Sequence, residues 1–187
     1  MKRTAFAALL LAALCVFSLP AQSENRAGVM LSHYSTRAFA TGAIPRADLE
    51  LIVQTGVRAP SAVNRQPWHF TVVQDLELAK RIVPQTVEGN VLIIISAAGD
   101  SKTNTREIID CALATQSVYL AAQALGYGSR IYTGPIDALN RNLKNEVGLP
   151  RNHSAVALVR IGRVEGNVDA TSAASGRKAA SDVVTYK

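Results

Sequence analysis

The chain is poor in the residues that build most reactive centres. Of its 187 residues only two are cysteine, three are histidine and one is tryptophan. His33, His69 and His153 are far apart and share no ligand-like spacing with one another or with Cys111, which argues against a metal site. No G-x-S-x-G elbow, no G-x-x-x-x-G-K-[ST] loop and no G-x-G-x-x-G after a strand occurs, and Gly126-x-Gly128 is too short to count as a dinucleotide fingerprint. No pair of carboxylates is spaced for acid–base work. What remains is a set of binding groups without a nucleophile, so an enzyme of this composition takes its reactivity from a cofactor. A dense basic run is also missing, which leaves no footprint for nucleic acid. Internal repeats and long internal linkers are absent too.

The N-terminus reads as a secretory signal peptide. Met1-Lys2-Arg3 is a charged start, Ala5 to Leu19 is almost unbroken apolar sequence, and Pro20-Ala21-Gln22-Ser23 is a small-residue end. The apolar run is short for a membrane span. An uncleaved anchor is the alternative reading. With residues 1–23 removed, 18 basic residues stand against 14 acidic ones, a net of +4 that suits a small anionic ligand. Cys15 leaves with the signal, so Cys111 has no intrachain partner, and an exported chain must hold together by its core or by a second subunit. Residues 24–187 suit one domain, ending in a polar, small-residue arm from about residue 163. Export implies a periplasmic or secreted protein that keeps no membrane insertion after cleavage.

Between these ends the periodicity alternates. Residues 25–32 read as a short helix. Leu49, Ile52, Val53 and Val57 recur at helical spacing over 46–57, with Pro45 suited to the first turn. Residues 69–74 read as a strand, and Asp75 caps a short helix through Leu76, Leu78 and Ile82. Val91–Ile95 is a continuous apolar run, the pattern of a strand covered on both faces. The longest element spans Asn104 to Leu125, with Asn104 and Glu107 at capping-box spacing and Gly126 placed to end it. Apolar residues cover almost every face, as in a buried helix. A chain this short struggles to surround it, so the helix is expected to be central and shared with a second copy. A core helix in a monomer fits the pattern equally. Lone Cys111 reads as a small buried hydrophobe. A glycine-rich turn follows, with a possible short strand, then a helix from Pro135 with Leu139, Leu143 and Val147 as its stripe. Residues 155–162 form a last strand. Val183, Val184 and Tyr186 close an arm too polar to fold alone.

One stretch stands apart: Ala59-Pro60-Ser61-Ala62-Val63-Asn64-Arg65-Gln66-Pro67-Trp68-His69-Phe70. Two prolines deny helix to Ala59 and Gln66 and remove two N–H donors. Polar loops held by rigid neighbours are common seats for binding groups. A plain helix-to-strand turn, with Trp68 in the core, fits the same residues.

Four segments in order resemble the FMN-dependent nitroreductase family. Ser35-Thr36-Arg37-Ala38-Phe39 is similar to the family's R-R-S-x-R/K-x-F. The 59–70 stretch is similar to A-P-S-x-x-N-x-Q-P-W-x-F. Ala121 to Ser129 is similar to L-x-A-x-x-L-G-L-G-S, and Gly176-Arg177-Lys178 is similar to the C-terminal arm. The resemblance implies an α+β nitroreductase-like fold, a central mixed sheet flanked by helices, in an intertwined homodimer with FMN at the subunit interface. It implies hydride transfer from NAD(P)H through flavin N5, in ping-pong fashion, to a nitro compound, quinone or similar small-molecule acceptor, with no catalytic side chain. Its implied cofactor-binding residues are His33, Tyr34, Ser35 and Arg37, with Ser35 and Arg37 at phosphate or ring-edge oxygens, Pro60, Ser61, Ala62 and Asn64 against the flavin, Tyr132, Thr133 and Gly134 near N5, and Arg177 at the phosphate. The chain departs from the pattern at His33 and Tyr34, where the family is commonly basic, and at Ser175, where some members have a lysine. These departures keep open a protein that binds a flavin or another ligand with little NAD(P)H-dependent activity, and the exported location keeps open a flavin enzyme with an electron donor other than nicotinamide.

Overall fold

A computed structural model describes residues 28–99, 105–164 and 177–187. The signal peptide of residues 1–23, Asn104 of the expected capping box, and Ser175 and Gly176 of the arm lie outside the described residues. The elements are α1 Gly28–Ser32, α2 Arg46–Val57, a 3-10 turn Ala62–Asn64, β1 Trp68–Val73, α3 Leu76–Ile82, β2 Val91–Ala98, α4 Thr105–Ala124, β3 Gly128–Tyr132, α5 Ile136–Asn142, β4 His153–Gly162 and α6 Ala180–Val183. The expected helices and strands are present with ends shifted by a few residues.

Four strands form one sheet in the order β1-β2-β4-β3. All three pairings are antiparallel. The expected mixed sheet is therefore corrected, among the described residues, to an antiparallel one. The physical reason lies in β2. Its unbroken apolar run requires two covered faces, and helices packed on both sides supply them whatever the strand direction. Val91, Ile93, Ile95 and Ala97 pack with Val159 and Ile161 against α2 and α4. Leu92 and Ile94 point the other way and pack with Val73, Ala155 and Leu158 against α3 and α5. Period-two alternation along one strand thus feeds two cores.

Helix ends follow local chemistry. Asp75 caps α3 by accepting the Leu78 N–H at 2.7 Å. Pro45 and Pro135 occupy the N-cap positions of α2 and α5, one residue before the first turn. At the end of α4, Gly126 has φ +82°. There the Tyr127 N–H reaches Ala122 O and the Gly126 N–H reaches Gln123 O, both at 2.9 Å. This paired closure needs a left-handed residue, which glycine supplies without strain. Gly56 serves packing instead. A Cβ there would stand 2.7 Å from Val118 Cγ2 and 2.8 Å from Phe70 Cε1, so its absence lets α2 settle on α4.

The sheet of α4 contacts is one-sided. Cys111, Ala114, Val118, Tyr119 and Ala122 are buried. Ile109 and Leu113 are 56% and 40% exposed, and Ala112 beside them is exposed. The helix that sequence marks as apolar all round is covered by its own chain on one side only. Val183, Val184 and Tyr186 are likewise exposed. No helix among the described residues is long and apolar enough to cross a membrane.

Where β1, β2 and β4 meet, two of the three histidines come together. The His69 and His153 rings lie edge-to-face with centroids 5.8 Å apart, and His153 Nδ1 sits 3.3 Å from Ser96 Oγ. Burial, then His69, then Lys144 hold the His153 imidazole below its ordinary range. The folded chain therefore binds this proton less readily than the unfolded one. Its contribution to stability is present above the ordinary histidine range, near pH 6.5, and is lost as pH falls through the lowered folded value. Thermal midpoints measured from pH 8 down to pH 5 should drop, and a His153→Gln variant should drop less over the same interval.

Candidate functional site

The candidate residues fall into two groups, one at each end of α4. The first surrounds the last turns of the helix. Gln123 grips the chain at Tyr34: its Oε1 accepts the Tyr34 N–H at 3.1 Å and its Nε2 donates to Tyr34 O at 2.6 Å. The same Nε2 reaches Ser129 Oγ at 2.9 Å. Ser129 then locks the neighbouring residue. Thr36 N–H donates to Ser129 O, and Ser129 N–H donates to Thr36 Oγ1, each at 3.0 Å. Thr36 and Ser129 are both fully buried. Ser35 and Arg37 flank buried Thr36, so the alternation of an extended chain turns them outward, and Arg37 is exposed.

His33 joins this group through Tyr119. Its Nδ1 is 3.2 Å from Tyr119 Oη, and the two rings meet edge-to-face at 5.5 Å. Burial raises the Tyr119 phenol; the Gln123 hydrogen bond and then the Arg177 charge pull it back. The Arg177 guanidinium therefore acts on the same corner as His33, Tyr34 and Ser35. Among the described residues neither Arg37 nor Arg177 has an ion-pair partner. Two guanidinium groups without an ion-pair partner, one of them two residues from Ser35, suit a phosphate.

The second group is the 59–67 loop, at the start of α4. Its backbone is unusual: Val63, Asn64 and Gln66 have φ of +48°, +56° and +49°. Three non-glycine residues in four positions at positive φ store strain, most of all at β-branched Val63, which is 86% exposed. Local bonds hold the shape. Ser61 O accepts the Asn64 N–H at 3.0 Å, and Ser61 Oγ accepts the Gln66 N–H at 2.9 Å. Gln66 Nε2 takes up Asn64 Oδ1 at 3.1 Å, which leaves the Asn64 amide hydrogens for a ligand. Pro60, Ala62 and Asn64 are exposed, and Ser61 is half-buried. Trp68 is half-buried at the mouth of β1 against Phe70, the structural member of the stretch.

The loop is tied down where the Ala62 N–H donates to Asp110 Oδ1 at 3.0 Å. Asp110 stands on the second turn of α4 and Gln123 on the last, so the two groups are roughly 20 Å apart at about 1.5 Å of rise per residue. One chain does not bring them together. Tyr132, Thr133 and Gly134 stand at the end of β3, with Tyr132 beneath the Arg130 guanidinium at 4.9 Å and the next two residues exposed. A concavity of about 270 Å³ between α2 and the end of β1, lined by Leu49, Val53 and Val72, holds none of the candidate residues.

Sequence reasoning gave no role to Gln123, Ser129 or Asp110. The available signal was a polar residue inside an otherwise apolar helix, which must find a partner once buried. Cys111 is fully buried, and burial with Asp110 and Glu107 nearby pushes its thiol up to about 12, so it is no nucleophile. Among the described residues no group of three or more potential ligands could hold a metal.

A sheet with helices on both faces, and two groups of candidate residues at opposite ends of one long helix, define the architecture. The nitroreductase family model matches residues 30–91 and 86–163. The chain belongs to the nitroreductase family. A protein from Archaeoglobus fulgidus, provisionally named NADH dehydrogenase/NAD(P)H nitroreductase, is 34% identical over 138 residues, 68% of this chain and 79% of that one. Among solved structures, a nitroreductase with bound FMN from Bacteroides fragilis superposes with TM-score 0.70 at 23% identity, covering 86% of this chain and 97% of that one. The NADPH:FMN oxidoreductase from Vibrio harveyi, solved with NAD+, gives 0.72 at 20% identity, covering 85% and 75%. These structural likenesses establish the fold.

Val63→Gly should relieve the left-handed strain without losing packing. The net gain is a few tenths to about 1 kcal/mol, because glycine also gains freedom in the unfolded chain. Denaturant midpoints of the two proteins check it.

Proposed function

We propose that the protein is an FMN-dependent oxidoreductase. In this reading it takes hydride from NAD(P)H and reduces a nitro compound, quinone or similar small acceptor, working as a homodimer. One observation carries the reading. The two halves of the cradle lie at opposite ends of α4, and the outward face of that helix is apolar at Ile109, Ala112 and Leu113. Two copies packed with α4 antiparallel bury this face and bring the Arg37 corner of one chain to the 59–67 loop of the other. The exposed Val183, Val184 and Tyr186 then have a partner surface to cover.

The residues fit the cofactor. Arg37, Arg177 and Ser35 would hold the phosphate, with His33 and Tyr34 beside it. Pro60, Ser61, Ala62 and Asn64 of the second chain would face the ring system, where Asn64 has free amide donors. Tyr132, Thr133 and Gly134 offer backbone groups at the end of β3. Bound FMN supplies the redox chemistry, accepting two electrons from the nicotinamide and passing them to the acceptor. The protein contributes binding, orientation and a fixed positive charge, and no side chain serves as nucleophile. Residues 24–187 act in this reading as one domain with a C-terminal arm. Residues 1–23 direct its export, on the strength of the charged start and apolar run alone.

The purified chain should be yellow, or become so when FMN is added, should migrate at dimeric mass, and should oxidise NADH or NADPH. Arg37→Ala and Arg177→Ala should each weaken FMN binding about tenfold, the loss of one charge-assisted contact. A colourless protein that FMN does not reconstitute, or a flavin-bound monomer, would sink the reading.

A further inference from the structure

We propose that Asp110 is the positioning residue that sets the shape of the 59–67 loop, acting from the start of α4 through one hydrogen bond. This inference rests on the flavin reading above and deepens it, since Asp110 touches no part of the cradle's outer face.

The argument begins with an imbalance. Asp110 is only 3% exposed, in a helix whose neighbouring buried positions are Cys111 and Ala114. A buried carboxylate normally needs several partners to offset desolvation. Among the described residues the side chain has one hydrogen-bond partner, the Ala62 N–H at 3.0 Å, while Asp110 Oδ2 is buried with none. Glu107 sits one turn earlier and is half in the same position. Its Oε2 is also buried and unpartnered, and its Oε1 lies 3.7 Å from Arg65 Nη1, beyond hydrogen-bond range. As a core element Asp110 is therefore a poor choice of residue. As a fixed acceptor its place is intelligible.

What it accepts from is the other half of the argument. Ala62 opens the 3-10 turn directly before Val63, the first of the three left-handed residues. Strained backbone persists only where its surroundings over-determine it. The other hydrogen bonds that shape this loop are made within it: Asn64 N–H to Ser61 O, Arg65 N–H to Ala62 O, Gln66 N–H to Ser61 Oγ, and Gln66 Nε2 to Asn64, while the half-exposed Arg65 adds only the long ion pair to Glu107. Such bonds hold a turn's form but do not fix where it sits. Among the described residues the Asp110 contact is the hydrogen bond that ties residues 61–66 to a helix. Ala62 and Asn64 are proposed to face the flavin, so an untethered loop would present the right groups in the wrong place.

The test uses the full chain with three substitutions. Asp110→Leu removes the acceptor and puts a larger apolar side chain in its place. Asp110→Ala removes it with a smaller side chain that favours helix, and guards against a leucine that packs badly. Asp110→Asn keeps a carbonyl oxygen for the Ala62 N–H and discards the charge. FMN affinity is read by quenching of flavin fluorescence, and loop position by the rate of tryptic cleavage after exposed Arg65, with and without FMN. The Leu and Ala variants should bind FMN about tenfold more weakly and be cut about tenfold faster at Arg65, the scale of one hydrogen bond to a charged group. Their thermal midpoints should not fall in proportion, because an unsatisfied buried carboxylate leaves with the bond. The Asn variant should stay within about threefold of the parent on both measures. Parent-like binding and cleavage in both acceptor-free variants would overturn the proposal, and so would an Asn variant as impaired as they are. If the parent itself binds no FMN, the flavin reading fails, and the Arg65 cleavage rates alone still decide the role of Asp110.

Discussion

The structure depends on a helix that has more apolar surface than its own chain covers. α4 runs for 20 residues beneath the sheet, with α2 beside it at the close contact made possible by Gly56. One side delivers Cys111, Ala114, Val118, Tyr119 and Ala122 to the core. The other leaves Ile109 and Leu113 in solvent. Buried Thr115 bonds back to Cys111 O of its own helix, but two other polar side chains reach away from the helix to hold something else. Asp110 holds the 59–67 loop and Gln123 holds the chain at Tyr34. The helix is thus both the central packing element and the ruler that separates the two halves of the proposed cradle.

Much of this was legible from sequence because it follows from periodicity and from turn chemistry. The continuous Val91–Ile95 run announced two covered faces, and the structure fills them with Leu92 and Ile94 on one side and Ile93 and Ile95 on the other. Gly126 ended α4 as its lack of a Cβ suggested. Strand direction was not legible, since an apolar run reports burial and not the sense of its neighbour. The mixed sheet drawn from resemblance gave way to an antiparallel one for that reason.

The cradle was legible only in part. Loop residues that display polar groups, such as Ser61, Asn64 and Arg37, can be read from composition and a family pattern. The residues that place them cannot, because their partners are distant in sequence. Gln123 meets Tyr34 across 89 positions, and Asp110 meets Ala62 across 48. Nor does sequence reveal that Val63, Asn64 and Gln66 adopt left-handed backbone, a conformation local propensity opposes. His69 and His153 make the same point: far apart in the chain, they touch because β1 and β4 flank β2.

The separation of the two cradle halves along α4 has a genetic reading. In a pair of chains packed as proposed, each cradle takes its cationic corner from one subunit and its loop from the other. A subunit damaged at Arg37 and a subunit damaged in the 59–67 loop would, when mixed, form a pair with unequal cradles. One carries both lesions, and the other carries neither. Two alleles that are each inactive alone would then restore part of each other's activity, whereas two lesions in the same half would not.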